Sequence, residues 1–189
     1  MELYSDTYYV KCVLAGDTTC FACLLDRYSR QVHLLIFRLV RNREDAEELT
    51  QDVFMKVFRS LSAFKGESSF STWIYRIAYH TAISEMRKKK HEFLAIDEAL
   101  IENAPEEMTA EMFGANDDSE QITRLETALS RLAPDEQAIL LFFYTEEKSI
   151  EEIAHITGLS QSNVKVRLHR IRKKLFVMLT HPTKEQENE

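Results

Sequence analysis

Turn-forming residues are scarce in this chain, which has only four glycines and three prolines among 189 residues. Apolar residues instead recur at helical spacing over long stretches. Few turn formers and a helical apolar period together predict an all-α protein. A chain of this length can form one medium domain or two small ones.

Long apolar runs are missing as well. No run is long enough to span a bilayer, which excludes an integral membrane protein. Residues 1–9 lack the basic start and the apolar run of a secretory signal. We therefore expect no membrane insertion and a location in the cytoplasm.

Motifs for catalysis and for metal binding are also missing. The six histidines show no metal-ligand spacing with carboxylates or thiols, and no glycine-rich loop could cradle a phosphate. The sequence therefore predicts a protein that is not an enzyme, with no catalytic residue, no metal and no cofactor.

Cysteine is limited to Cys12, Cys20 and Cys23, which cannot all pair within one chain. The Cys20-Phe-Ala-Cys23 motif has no second CxxC or nearby histidine pair to complete a zinc site. Its expected position early in a helix makes thiol redox chemistry at Cys20 or Cys23 conceivable. The favoured interpretation is that the cysteines are small buried apolar residues.

The formal net charge of −7 would by itself argue against nucleic-acid binding. The charge is unevenly distributed, however. Residues 92–126 contain eleven acidic residues and one basic residue, while cations gather at residues 87–90 and 165–174. Because screening acts over about 8 Å at physiological salt, a phosphate responds to the charge of the local patch and not to the net charge of the chain.

Residues 149–175 predict a helix-turn-helix. They contain a short helix, a turn at Gly158 and a second helix opened by Ser160. Six basic residues and no acidic one lie between residues 159 and 174, away from the apolar stripe of the second helix. Such a helix packs on one side and meets phosphates and base edges on the other. The alternative is a helical hairpin whose basic face is merely solvated. The apolar stripe consists of Val164, Leu168, Ile171 and Leu175.

Three helices are predicted in the first half of the chain. Asp17 caps the first, which runs to about Val40; Asn42 starts the second; Ser71 caps the third, which runs to about Lys90. A loop at residues 62–69 precedes the third helix. The predicted core face of the first two comprises Phe21, Leu24, Leu25, Tyr28, Val32, Leu35, Ile36, Leu39, Val53, Phe54, Val57, Phe58 and Leu61.

The predicted architecture is two small helical domains joined by an acidic linker. The first domain covers residues 1–91, and residues 92–119 form a mostly irregular linker. The second domain covers residues 120–180, with a helix through Leu125 and Leu129, a helix opened by Pro134 and then the helix-turn-helix. Residues 181–189 form a polar tail.

Aromatic and cationic side chains are interleaved in residues 64–90. Arg76, His80, Ser84 and Arg87 share one helix face with Tyr79 beside them, an arrangement that suits single-stranded DNA. Each stacked base contributes about 1–3 kcal/mol. The small residues at 66–69 can admit an extruded base. Alternatively, Trp73 is an ordinary core aromatic, and the basic end at residues 87–90 caps a helix C-terminus.

Three motifs, in this order, resemble the extracytoplasmic-function class of bacterial RNA polymerase sigma factors. They lie at residues 45–58, residues 64–78 and residues 132–154, beginning Asp45-Ala-Glu-Glu-Leu, Phe64-Lys-Gly-Glu-Ser and Leu132-Ala-Pro-Asp-Glu. The resemblance covers nearly the whole chain. It implies a subunit that binds core RNA polymerase, recognises promoters and promotes strand opening.

The resemblance also implies roles for residues of the first domain. The helix at residues 45–58 would bind the clamp coiled coil of core polymerase, and the loop at residues 64–70 would hold a flipped base of the single-stranded −10 element. Neighbouring helix positions would contact the same strand or the duplex edge upstream. The polymerase-binding residues would be Glu48, Gln51, Asp52 and Phe58. The −10 residues would be Lys56, Phe64, Lys65, Ser69, Phe70, Arg76, Tyr79, His80 and Ser84.

For the second domain, the resemblance implies that the helix from Ser160 enters the major groove of a duplex −35 element. Val166 departs from the family, where a small polar residue is common, and an apolar side chain favours a thymine methyl. Arg76-Ile77 replaces the adjacent tryptophans of housekeeping sigma factors, so melting should depend more on the captured base. The −35 residues would be Ser162, Asn163, Lys165, Val166, Arg167, His169, Arg170 and Arg172.

The resemblance also implies that a partner protein regulates this chain. An anti-sigma protein would cover the polymerase-binding surfaces, although nothing in the sequence identifies it. The acidic linker would thread through polymerase channels that hold RNA and template DNA, or would only solubilise the chain. A competing hypothesis is a self-sufficient, dimeric helix-turn-helix regulator with a sensory N-terminal domain, which would bind paired half-sites.

Overall fold

The computed structural model describes residues 4–88, 98–104 and 118–180. Within these ranges the chain is helical, which confirms the predicted all-α class. None of the described helices is long and apolar enough to cross a membrane. The helices are α1 (Asp6–Leu14), α2 (Cys20–Val40), α3 (Arg43–Ser60), α4 (Phe70–Lys88), α5 (Glu98–Glu102), α6 (Asp118–Arg131), α7 (Pro134–Leu140), α8 (Ile150–Thr157) and α9 (Gln161–Thr180).

Helices α1 to α4 form the N-terminal unit around the apolar face of α2. Leu24, Val32 and Ile36 are fully buried there, as the helical period predicts. Leu25 was wrongly placed in the core: its side chain is 38% exposed. Residues spaced one position from a buried one lie about 100° further round the helix, so Leu25 falls at the edge of the apolar stripe and faces solvent.

The helix caps differ partly from the prediction. Asn42 caps α3, since its side chain accepts the Asp45 N–H at 2.9 Å. Ser69, not Ser71, caps α4: the Ser69 Oγ accepts the Thr72 N–H at 3.1 Å, and α4 begins at Phe70. Several serines lie near the start of α4, and the path of the preceding loop decides which of them caps the helix.

The start of α2 also differs from the prediction. Asp17 does not occupy its N-cap position, because the helix begins only at Cys20. The Asp17 carboxylate instead accepts the Thr19 N–H at 3.1 Å. Asp17 therefore stabilises the turn between α1 and α2, as Asp side chains often do by bonding the backbone two residues ahead.

The predicted irregular linker contains structure in its described part. Helix α5 lies inside it, and Ile101 and Ala104 are buried. The Lys173 Nζ of α9 donates to the Glu102 carbonyl at 3.2 Å, so α5 packs on the C-terminal unit. The expectation of a mostly irregular segment is thus wrong for residues 98–102. The remaining linker residues and the tail at 181–189 lie outside the described residues.

The C-terminal unit consists of α6 to α9. Pro134 opens α7 as predicted, and a π-helical turn at Leu141–Thr145 follows that helix. The whole predicted stripe of α9 is buried, from Val164 at 0% to Leu175 at 6% exposure. Leu125 of α6 is 42% exposed and contributes little to this core.

The two units pack against each other through α4 and α8, with further contacts from α7 to α2 and α4. Phe142 is fully buried in this interface. Its ring centroid lies 5.9 Å from that of Tyr75 and 6.2 Å from that of Tyr79 on α4. The described structure is therefore a closed conformer, in which the units share one apolar core.

Candidate nucleic-acid and polymerase interfaces

The helix-turn-helix comprises α8, the turn at Gly158 and α9. Ser149 and Glu152 cap α8 reciprocally: the Ser149 Oγ accepts the Glu152 N–H at 3.1 Å, and the Glu152 carboxylate accepts the Ser149 N–H at 3.0 Å. Gly158 ends α8 at φ 78°, a left-handed conformation that glycine adopts readily. The Ser160 Oγ then accepts the Asn163 N–H at 3.2 Å and caps α9. Local hydrogen bonds thus position both helices.

The outward face of α9 carries most of the predicted −35 residues. Val166 is 65% exposed, so an apolar side chain stands on a surface that is otherwise polar and cationic. This face can contact phosphates and base edges without disturbing the buried stripe behind it. The exposed members are Ser162, Asn163, Lys165, Val166, His169 and Arg170.

Arg167 and Arg172 are half-buried and have protein partners. Arg167 forms an ion pair with Asp135 of α7, with the Nη1 and Oδ2 atoms 2.6 Å apart. The Arg172 Nε donates to the Tyr144 hydroxyl at 2.8 Å. These contacts orient the two guanidinium groups along the edge of α9, where their remaining N–H groups can bind phosphate oxygens.

A groove of about 580 Å³ lies between α3 and α4. Its lining brings together Lys56, Arg76, His80 and Ser84, four of the predicted −10 residues, with Asp52 of the predicted polymerase-binding set. The Lys56 Nζ donates to the Thr81 Oγ1 at 3.1 Å, which holds this cation along the groove.

His80 favours its neutral form in this conformer. Burial lowers the pKa of its imidazole below the ordinary value of 6.5, and the nearby guanidinium groups of Arg76 and Arg87 lower it further. A phosphate in the groove would partly compensate the positive charge of those guanidinium groups. A neutral imidazole offers one donor and one acceptor, which suits contact with bases as well as with the backbone.

A second, smaller pocket of about 250 Å³ lies at the loop that follows α3. Phe64, Lys65 and Trp73 line it, together with Arg76 of α4. The Phe64 and Trp73 ring centroids are 5.3 Å apart. Aromatic walls beside cations form a stacking platform for a base. The pocket coincides with the loop at which the sequence predicted a captured base.

Two predicted −10 residues are buried in the closed conformer. Phe70 is 3% exposed and packs beneath the loop against Phe64 and Trp73. Tyr79 is 6% exposed because Phe142 of the C-terminal unit covers it. The structure therefore does not bring Tyr79 onto the surface with Arg76 and His80. Ser69 is exposed, but its hydroxyl caps α4.

The predicted polymerase-binding residues lie on the solvent-facing side of α3. Glu48, Gln51 and Asp52 are exposed there. Phe58, assigned both to the core and to this surface, is 41% exposed and makes an edge contact with Phe21 of α2, with centroids 5.0 Å apart. Met55, at 50% exposure between Asp52 and Phe58, extends this surface. Met55 was not among the predicted residues, although its position three residues from both neighbours was the available signal.

The contacts between the units involve the same part of α4 as the −10 residues. The Arg76 Nη1 donates to the His155 carbonyl of α8 at 3.1 Å, and His155 lines the small pocket beside the loop. The Thr72 hydroxyl donates to the Glu152 Oε1 at 3.2 Å, and Tyr75 donates to Glu146. The first helix of the helix-turn-helix therefore lies against the loop pocket.

The titration of Tyr75 reflects this contact, while that of Glu152 is set mainly within the C-terminal unit. Burial raises the pKa of Tyr75, and its hydrogen bond to the Glu146 carboxylate raises it further, so Tyr75 stays a hydrogen-bond donor. Burial alone would raise the pKa of Glu152. The Ser149 N–H and the Lys148 ammonium outweigh that effect and hold the pKa below its usual range. Sequence reasoning missed these residues, since pairs 71 and 80 positions apart leave no local pattern.

The fold and these surfaces define a two-unit helical protein with a helix-turn-helix. Family models match both units: the Sigma-70 region 2 model matches residues 24–92, and the Sigma-70 region 4 model matches residues 122–175. The RNA polymerase sigma factor YlaC of Bacillus subtilis (strain 168) is 33% identical over 86% of this chain and 94% of the relative. The ECF RNA polymerase sigma factor SigW of the same strain is 28% identical over 88% and 92%.

This chain belongs to the extracytoplasmic-function class of RNA polymerase sigma factors. Two solved structures share its fold. CnrH in complex with the cytosolic domain of CnrY aligns with a TM-score of 0.66 at 18% identity, over 94% of this chain and 99% of the other. The sigma factor RpoE of Bartonella quintana, in complex with the anti-sigma factor NepR, aligns with a TM-score of 0.60 at 22% identity, over 86% and 98%.

Proposed function

We propose that this chain is a dissociable, non-enzymatic subunit that gives core RNA polymerase its promoter specificity. The α3 surface binds polymerase, the groove and loop pocket bind the single-stranded −10 element, and α9 binds the duplex −35 element. The observation that carries this proposal is the presence of separate cationic surfaces on the two units, in a chain that matches both sigma regions. Polymerase performs the chemistry, and we place the protein in the cytoplasm with it.

The closed conformer is then a form that must open at a promoter. Elements at −35 and −10 lie about 25 base pairs apart, which is about 85 Å of duplex at 3.4 Å per pair. A compact chain of this length has a radius of gyration of about 16 Å. The two DNA-binding surfaces cannot reach both elements while α8 packs on α4, so polymerase has to separate the units.

Anti-sigma control is part of the proposal. RpoE of Bartonella quintana, which shares this fold, is a sigma factor in complex with an anti-sigma factor. In this chain, an apolar groove of about 580 Å³ lies between α2 and the C-terminal unit, and its lining includes Leu129, Leu140 and three arginines: Arg38, Arg41 and Arg172. This lining fits an amphipathic helix with acidic flanks. Mutations that free the protein from a repressing partner in a transcription reporter should fall in this groove.

The polymerase assignment is tested with matched variants on α3. Gln51→Ala and Asp52→Ala should each weaken binding to purified core polymerase. Glu47→Ala is the control, because Glu47 lies on the same helix but pairs with Arg43. Equal binding by all three variants, measured by fluorescence anisotropy, would refute the assignment of this surface.

The promoter assignment is tested by transcription. Core polymerase with this protein should initiate on a subset of a random promoter library, while core polymerase alone should not. A self-sufficient regulator would instead bind paired half-sites as a dimer without polymerase. Nanomolar, sequence-specific footprints from the free protein at physiological salt would favour that alternative.

A further inference from the structure

The corner between α1 and α2 holds two of the three cysteines side by side. Cys12 lies in the last turn of α1, Cys20 is the first residue of α2, and their Cα atoms are 6.1 Å apart. Native disulfides span this distance. The structure joins Cys12 and Cys20 in a disulfide and leaves Cys23 as a free thiol. The expectation of small buried apolar residues is therefore wrong for Cys12 and Cys20.

The fold of the turn explains why Cys20 pairs with Cys12 and not with Cys23. Gly16 adopts φ 107°, a conformation that few other residues tolerate, and reverses the chain directly after α1. The Asp17 N–H then donates to the Cys12 carbonyl at 3.2 Å and closes the turn. The Asp17 Oδ2 lies 3.7 Å from both sulfur atoms. The sequence motif Cys20-Phe-Ala-Cys23 gave no indication of Cys12 as the partner of Cys20.

We propose that Cys12 and Cys20 form a reversible thiol–disulfide site that exchanges with low-molecular-weight disulfides and thereby tunes polymerase binding. Both side chains are partly exposed at the surface of the turn, so a small disulfide can reach them. In a reducing compartment a protein disulfide is usually transient or redox-sensing and not structural. The link to polymerase rests on the proposed function.

The chemistry balances with a disulfide RSSR as oxidant. One cysteine thiolate attacks RSSR, forms a mixed disulfide and releases one RS⁻. The second cysteine thiolate attacks the protein sulfur of that mixed disulfide, forms the Cys12–Cys20 bond and releases the other RS⁻. Two thiols of the protein are oxidised and one disulfide is reduced to two thiols. Excess RSH reverses both steps.

The site is coupled to the polymerase-binding surface through a short path. Phe21 follows Cys20 directly, and its ring contacts Phe58 of α3. The disulfide fixes the first turn of α2 on α1, whose Tyr9, Val10 and Val13 are buried. Oxidation therefore orders Phe21 beside Phe58 before polymerase arrives, which lowers the entropy lost on binding.

The covalent step is tested on the full-length protein, incubated with oxidised and reduced glutathione at several ratios. Free thiols are alkylated, and the chain is cleaved before Asp17, so that Cys12 and Cys20 fall on different peptides. A linked peptide pair with alkylated Cys23, removed by excess reduced glutathione, is the expected result. A link through Cys23, or no link at any ratio, would overturn the proposal. Zinc uptake by Cys12, Asp17 and Cys20 without disulfide formation, read by metal analysis, would also overturn it.

The coupling is tested by affinity for core polymerase. We expect the oxidised protein to bind about two- to tenfold more tightly than the reduced protein. Cys23→Ser should keep this difference in affinity. Cys12→Ser should abolish the difference and should bind polymerase with the affinity of the reduced protein. Equal affinity of the two redox forms would refute the coupling alone. Failure of both forms to bind polymerase would refute the proposed function and leave the peptide-mapping result standing.

Discussion

Tyr75 and Glu146 form a hydrogen bond of 2.7 Å that ties the two units of the protein together. Tyr75 lies on α4, which also lines the proposed groove for single-stranded DNA, and Glu146 lies just before the helix-turn-helix. The Lys148 ammonium also stands over the Tyr75 ring, 5.3 Å from its centroid. This contact, and those around it, hold the proposed DNA-binding surfaces together in the closed conformer.

Tyr75→Phe should therefore shift the protein towards open conformers. A hydrogen bond to a charged group contributes about 1.5–3 kcal/mol, while the ring and its packing on Phe142 are kept. Small-angle scattering should show a larger radius of gyration than for the unchanged protein. Tyr144→Phe is the control, because the Tyr144 hydroxyl accepts a hydrogen bond from Arg172 of the same unit. An equal size for both variants would contradict the proposed role.

The folded protein should also lose stability in acid through Glu152. Because the folded state lowers the pKa of this carboxyl, its contribution is complete above the ordinary value of 4.5 and is lost as the pH falls through the folded pKa. Glu152→Gln cannot titrate there. Chemical denaturation between pH 7 and pH 3 should show a smaller loss of unfolding free energy for the variant. If the free energy of unfolding fell equally with pH for the unchanged protein and for Glu152→Gln, this prediction would be wrong.

Val166 should favour thymine at one −35 position through contact with its methyl group. Replacing that thymine by uracil removes a single methyl, which is worth about 0.8 kcal/mol, or roughly a fourfold loss in affinity. Val166→Ala should bind both duplexes almost equally. Competition binding of the polymerase complex to the two promoters provides the measurement. A preference for thymine that survives in Val166→Ala would assign the contact to another residue.

Gly158→Ala should destabilise the helix-turn-helix by about 1 kcal/mol or more, because alanine at φ 78° is strained. No atom lies within 4 Å of the added Cβ, so the strain comes from the backbone alone. Gly158→Asn should cost less, since asparagine tolerates this conformation better. Thermal unfolding should rank the two variants in this order; the opposite order would show that the turn adopts another conformation.

Periodic and local signals were sufficient for most of the fold. The stripe from Val164 to Leu175, the turn at Gly158 and the helix start at Ser160 each depend on residues a few positions apart, and all are confirmed. Errors occurred where neighbours of the same type compete. Ser69 capped α4 in place of Ser71, and Leu25 faced solvent beside the buried Leu24.

The sequence by itself determined the all-α class, the helix-turn-helix and the family, because these follow from helical periodicity, turn chemistry and motif order. Only the tertiary structure decided that Tyr75 meets Glu146, that Phe142 covers Tyr79 and that Cys12 is joined to Cys20. The first two contacts join residues more than 60 positions apart, and the third depends on the turn between two helices. Such contacts arise from how whole elements pack in space, and packing leaves no period along the chain.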